Sequence, residues 1–374
     1  MGRTENNNQQ AFFEILRAGL WEREARLSAF YSVDYAAILR LAKEQSVVGL
    51  VAAGLEHVQD VKVPREVALT FAGATLQIEQ RNKAMNAFVA GLIEQLRADD
   101  VYALLVKGQG IAQCYERPLW RSAGDVDLLL DDAGYEKAKK LLLPLATRVE
   151  SEFTFMKHVG MTLDGWVVEL HGTLHSRLSR RIDNEIDKVQ ESVWSYGEFR
   201  VWHNGDTDVY LPAPDADVFF VFTHFLHHFF LEGLGLRQIC DWCRLLGTFA
   251  GEIDVRLLER RLLDARLMSE WRAFAALAVD WLGMPAAAMP LYCGDSRWSR
   301  KGDRILADVL RKGNFGRNER GYSGLQRAYL VRKFVSAWRH LGELLRHLFI
   351  FPWDSVRFFG RVLCTGVDAA FRGE

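Results

Sequence analysis

Cysteine is scarce in this chain and irregularly placed. The five residues Cys114, Cys240, Cys243, Cys293 and Cys364 are odd in number and share no repeated spacing, which excludes a disulfide framework as the organising device. Cys240-Asp241-Trp242-Cys243 has the C-x-x-C spacing, but it falls in a helical pattern with no second pair. It reads as buried structural thiols, not as a zinc or redox site. No uninterrupted apolar run approaches the roughly 20 residues that a membrane-spanning helix needs. The stretch Met1-Gly2-Arg3-Thr4-Glu5-Asn6 has no apolar signal region, so the expectation is a protein of the reducing cytoplasm. Charge of one sign is also missing. A formal net charge of −1 argues against a surface coated for nucleic acid, and no DNA duplex is expected as a partner. Several fingerprints are absent: there is no G-x-x-x-x-G-K-[ST], and Gly108-x-Gly110 has Gln113 where a dinucleotide motif needs its third glycine. His224, His227 and His228 lack E-x-x-H or H-E-x-x-H spacing and read as packing or lining residues. No repeat at solenoid periods is present.

What is present suffices for a sizeable core, since 49% of the 374 residues are hydrophobic. Helical spacing of apolar residues recurs from Phe12 to Asp99, predicting a helical N-terminal cap over residues 1–100. Residues 101–106 predict a buried strand, residues 110–115 a helix start, and Asp131-Asp132 a cap for a helix over 133–143. Residues 157–163 and 166–171 flank Asp164-Gly165, which suits a two-residue hairpin turn. A charged helix is expected over 175–187, short strands around Asn204-Gly205, a very apolar helical pair over 215–246 broken near Gly233, and another helical stretch over 256–281. Residues 311–374 carry twelve Lys/Arg against five Asp/Glu, interleaved with aromatics. They read as helices packed on the domain, in preference to helices lying on an anionic membrane surface.

The chemistry concentrates in residues 101–172. Alternate side chains of a strand share a face, so Asp125 and Asp127 point the same way. A strand edge bearing two solvated acids is the bland alternative, yet aspartate is disfavoured in strands and two like charges repel unless cations neutralise them. Paired oxygen donors are what ions roughly 3.5–4 Å apart require in two-metal phosphoryl transfer. Lys107, directly before a glycine turn, is placed as a point charge for phosphate. Glu169 and His171 share a face of the second hairpin strand, and Glu169 becomes a third ligand if that strand lies beside the acid pair. Arg237 and Asp241, at i and i+4, are spaced to pair with each other.

Lys107-Gly108, Arg121, Gly124-Asp125-Val126-Asp127 and Glu169-Leu170-His171 together resemble the nucleotidyltransferase superfamily with the polymerase-beta-like fold. Within it they resemble a poorly characterised bacterial branch with K-G, G-D-[IV]-D and E-x-H motifs. The resemblance implies an α+β fold, a mixed sheet flanked by helices, with helical regions at both ends. It divides the chain into the N-terminal cap, a catalytic domain over 101–212, a helical domain closing the cleft over 213–310 and the basic aromatic tail over 311–374. It further implies that Asp125, Asp127 and Glu169 bind magnesium, with manganese as the alternative ion. Lys107, Gly108, Gly110, Arg121, Gly124, His171 and Arg237 would contact the nucleoside triphosphate. The chain departs from better-known members at Gln109, where they carry serine after the glycine.

The activity implied is transfer of a nucleoside monophosphate to an acceptor that the sequence does not reveal, with release of pyrophosphate. A metal-dependent glycosyltransferase would also use D-x-D, on a sugar nucleotide, and a non-catalytic nucleotide-binding regulatory protein would tolerate the missing serine.

Overall fold

The computed structural model describes residues 3–152, 157–314, 316, 342 and 345–360. Three helices, α1 (Arg3–Trp21), α2 (Tyr35–Glu44) and α3 (Val48–Glu56), precede the 34-residue α4 (Arg65–Ala98). Strand β1 (Leu104–Val106), the short helix α5 (Gly108–Ala112), β2 (Val126–Leu129) and α6 (Asp132–Leu142) follow. Next come β3 (Arg148–Val149), β4 (His158–Leu163), β5 (Trp166–His171), α7 (Arg180–Tyr196), β6 (Phe199–Asn204) and β7 (Thr207–Pro212). The rest is helical: α8 (Pro214–Leu231), α9 (Leu236–Thr248), α10 (Val255–Ala265), α11 (Met268–Asp280) and α12 (Ser296–Lys312).

The strands form one mixed sheet in the order β3-β4-β5-β2-β1-β7-β6, flanked by helices as the acid-pair resemblance implies. Parallel pairing joins β2 to β5 and β1 to β7; β2 runs antiparallel to β1. Side-chain alternation assigns the two faces. Leu105, Val126, Leu128, Leu130, Val168 and Leu170 pack with Met85, Val89 and Ile93 of α4 and Tyr135 of α6. Leu104, Val106 and Leu129 point the other way, into a cluster shared with α1, α3, α8, α9 and α11. Asp127 belongs to that second face, and α8 covers it.

Helix α8 is apolar nearly all round because it is buried on nearly every side. Phe222 lies 4.8 Å from Trp271 and 5.6 Å from Trp242 between ring centroids, and Phe225 is 4.8 Å from Phe274. Aromatic pairs at these separations add about 0.5–1.5 kcal/mol each beyond burial. Cys240 and Cys243 are fully buried in α9, and burial pushes both thiols up, consistent with structural thiols.

Several boundaries differ from the sequence expectation. The first strand takes only Leu104–Val106, because Asp100 turns back at φ 51° and residues 101–103 bridge from α4 to the sheet. The expected helix over 175–187 starts later: Ser179 Oγ accepts from the Ile182 N–H, and residues before it form a wall of the site described below. The stretch over 256–281 is two helices, broken where Arg266 adopts φ 58°. Most of the basic aromatic segment lies outside the described residues; within 345–360, Ile350, Phe351 and Phe358 are buried, whereas Phe349 and Trp353 are exposed. Cys364 also lies outside. Among the described residues no helix is long and apolar enough to cross a membrane.

Candidate active site

Parallel pairing sets Asp127 directly beside Glu169, and Leu129 beside His171. With Val126, Leu128, Val168 and Leu170 committed to the α4 face, the polar residues of both strands emerge together on the α8 side. Oxygens of Asp125, Asp127 and Glu169 lie within 4.8 Å of one another at the end of a cavity of about 400 Å³. The cavity is lined by Lys107, Gly108, Arg121, Gly124 and Arg237 together with Ser176, His224, His227 and His228.

Asp127 is nearly inaccessible and has two partners. Lys107 Nζ stands 2.8 Å from its Oδ1, and His171 Nε2 donates to the same oxygen at 2.9 Å. Charge repulsion from Asp127, burial and Glu169 push the Asp125 carboxyl up to about 6, against the pull of Lys107 and Arg237. Burial alone would raise Glu169 as well, but hydrogen bonds from His158 and His171 hold it well below the usual carboxylate range. Burial alone would lower Lys107; the three carboxylates outweigh it and raise the ammonium above its ordinary value. His171 is raised in the same way by Asp127 and Glu169. Three carboxylates converge here, and their hard oxygen donors fit a magnesium-type ion.

The glycine turn is strained by design of its position. Lys107 has φ 60° with ψ −150°, and Gly108 has φ 45°, conformations that cost a non-glycine residue roughly 1–3 kcal/mol. A side chain at 108 would also crowd the Asp125 carbonyl, 3.3 Å from the added carbon. Gly110 behaves differently from expectation. It is not part of the cavity wall, its N–H donates to the Lys107 carbonyl at 3.0 Å, and a Cβ there would meet Leu211 at 2.8 Å. Its smallness serves packing of α5 on the sheet. Gln109, at the position of the missing serine, is buried and donates to Asn86 Oδ1 of α4, away from the cavity.

Arg121 lines the cavity, and a buried carboxylate holds it. Its Nε and Nη2 donate to the two oxygens of Asp241, both at 2.7 Å, and Tyr115 Oη donates to the same carboxylate at 2.8 Å. Asp241 thus orients Arg121, which the i, i+4 spacing with Arg237 did not predict. Arg237 Nη1 instead donates to the Ser122 carbonyl at 2.8 Å, and its guanidinium borders Gly124. Asn82 of α4 donates to the Leu119 and Arg121 carbonyls, each at 2.7 Å. These bonds fix the loop that delivers Gly124 and Asp125.

His224, His227 and His228 do line the cavity. His224 Nε2 is 3.4 Å from Lys107 Nζ and 2.9 Å from His228 Nε2, and His228 Nδ1 donates to Glu232 at 2.8 Å. Burial, then Lys107 and the neighbouring histidines, hold the His224 imidazole well below its ordinary value, so it stays neutral. His158 and Glu232 were not singled out from the sequence. The hairpin register, which sets His158 opposite His171, is the signal that points to His158.

No curated protein and no solved structure matches the chain. A family described as "Uncharacterised nucleotidyltransferase" matches residues 31–283, a span that includes every strand and the whole cavity wall. Since the match covers more than half of the chain, the protein belongs to that nucleotidyltransferase family.

Proposed function

We propose that this protein transfers a nucleoside monophosphate from a nucleoside triphosphate to an acceptor hydroxyl or amine, with Asp125, Asp127 and Glu169 holding magnesium. The observation that carries the reading is the convergence of these three carboxylates with Lys107 at one end of one cavity. Bound magnesium would supply the positive charge that neutralises the triphosphate and the leaving pyrophosphate. Lys107, pinned by Asp127, offers an ammonium to a phosphate oxygen, and Gly108 lets the backbone come close without a side chain. Arg237 faces the phosphates across Gly124, and Arg121 acts through the loop that it and Asp241 hold. His171 keeps Asp127 and Glu169 in place. In-line attack of the acceptor on the α-phosphorus forms the new P–O or P–N bond and expels pyrophosphate, a reaction that asks the protein mainly for positioning and charge. The segment over 101–212 is then the catalytic part, with 213–310 closing the cleft and the helices before residue 100 capping it.

The test is a thermal shift of the parent, Asp125→Asn and Asp127→Asn with and without magnesium and ATP. Each substitution removes one negative charge and little volume. The parent should gain several degrees from the magnesium–nucleotide pair, and the variants almost nothing; without ligand Asp125→Asn should keep the parent's melting temperature, whereas Asp127→Asn should lose some of it, because Lys107 and His171 lose their charged partner. A parent that gains nothing, or variants that gain as much, would remove the carboxylates from any such role.

A further inference from the structure

A second donor set sits beside the acidic one and has different chemistry. His158 on β4 and His171 on β5 are directly opposite in the antiparallel ladder, and Glu169, two residues before His171, shares their face. Nitrogens of both imidazoles and an oxygen of Glu169 lie within 4.8 Å of one another. The two rings stack at 4.7 Å with an interplanar angle of 27°, and His171 Nε2, which donates to Asp127 Oδ1 at 2.9 Å, would give up that proton to an ion. His158 Nε2 is 3.3 Å and His171 Nε2 3.4 Å from Glu169 Oε2.

As hydrogen bonds these contacts are at the long end, N···O distances mostly running about 2.7–3.2 Å. They equal the ligand-to-ligand edge of a tetrahedral site: donors about 2.0–2.1 Å from one ion stand roughly 3.3–3.4 Å apart. The side chains of His158 and Glu169 are 18% and 27% exposed toward the cavity, which leaves room for a water or substrate atom to complete the coordination. Imidazole donors suit zinc and neighbouring first-row ions, whereas carboxylate and water suit magnesium.

We infer that His158, Glu169 and His171 form a binding site for a divalent first-row transition ion of the zinc class, adjoining the all-oxygen site and sharing Glu169 with it. Oε2 of Glu169 is the oxygen near both imidazoles, and Glu169 also belongs to the acidic group, so one carboxylate serves two unlike positions. Such a site places a Lewis-acidic ion next to the reacting phosphate or the acceptor atom. The site shares Glu169 and His171 with the proposed nucleotide site, but it does not require Asp125 or Asp127 to hold magnesium.

Cobalt(II) is the probe, because nitrogen–oxygen coordination gives it a visible absorption band. Full-length protein stripped with chelator is titrated with cobalt(II) in a large excess of magnesium. The parent should take up one equivalent, show the band and lose it on addition of zinc. His158→Ala and His158→Gln should bind cobalt at least tenfold more weakly without the band, while keeping the parent's melting temperature in the absence of any ligand. Asp125→Asn should keep the band and lose the nucleotide response. The inference is overturned if magnesium in excess prevents uptake by the parent, if both folded His158 variants retain the band, or if His224→Ala abolishes it while the His158 variants do not. A parent with no magnesium–ATP response but a His158-dependent band would sink the nucleotide reading and leave this one standing.

Discussion

Arg121 and Asp241, 120 residues apart in the chain, meet through two parallel 2.7 Å hydrogen bonds with both side chains almost completely buried. The pair ties α9 to the loop that carries Gly124 and Asp125, so a helix remote in sequence fixes the position of the acid pair.

Breaking that pair on one side leaves a buried, uncompensated charge, which costs about 3–5 kcal/mol, whereas replacing both partners with apolar groups is far milder. Asp241→Ala should therefore lose about that much in urea denaturation. The double variant Arg121→Met/Asp241→Leu should recover most of it. Equal losses in both would mean that the ion pair itself supplies the stability.

Arg237 borders the cavity and reaches the Ser122 carbonyl. A charge-assisted hydrogen bond contributes about 1.5–3 kcal/mol, so Arg237→Ala should weaken ATP binding by roughly tenfold to a hundredfold. Titration of a fluorescent nucleotide in the presence of magnesium checks this. Unchanged affinity in a folded variant would take Arg237 out of the site.

The two glycines of the turn should separate. Gly110→Ala forces a methyl against Leu211 and should cost about 1–3 kcal/mol of stability while leaving nucleotide affinity unchanged. Gly108→Ala strains a φ of 45° beside the Asp125 carbonyl and should reduce both stability and affinity. Loss of affinity in Gly110→Ala, beyond its unfolded fraction, would place residue 110 in the site after all.

Away from the cavity, Arg200 pairs with the buried Asp217, and its guanidinium stacks 4.6 Å from the Phe249 ring centroid. Burial pushes the Asp217 carboxyl up to about 6 even with Arg200 opposing it. A carboxyl raised in the folded state binds its proton more tightly there than in the unfolded chain, so its contribution to stability is complete below pH 3.8 and is lost as pH rises through 6. Arg200→Met removes the opposing charge and should cost about 3–5 kcal/mol at pH 8. The loss should shrink at pH 5, where the carboxyl protonates; a loss independent of pH would show that Asp217 is neutral throughout.

Local rules made part of this molecule legible. Alternation along a strand put Asp125 with Asp127 and Glu169 with His171, and the Asp164-Gly165 turn, with φ values of 48° and 80°, closed the hairpin where turn chemistry predicts. Asp131 caps α6 through the Gly134 N–H, as an aspartate before a helical pattern should. All of these depend on residues only a few positions apart. Which strands become neighbours does not. Only packing of the α4 and α8 faces against the sheet decided that β5 lies parallel to β2 and brings Glu169 beside Asp127. The same packing laid the histidines of α8 across the cavity, gave Asp241 to Arg121 in place of Arg237, and turned Gln109 toward Asn86. A side chain's partner across the sheet or between helices is set by how two hydrophobic faces fit, and that fit is a property of the assembled chain.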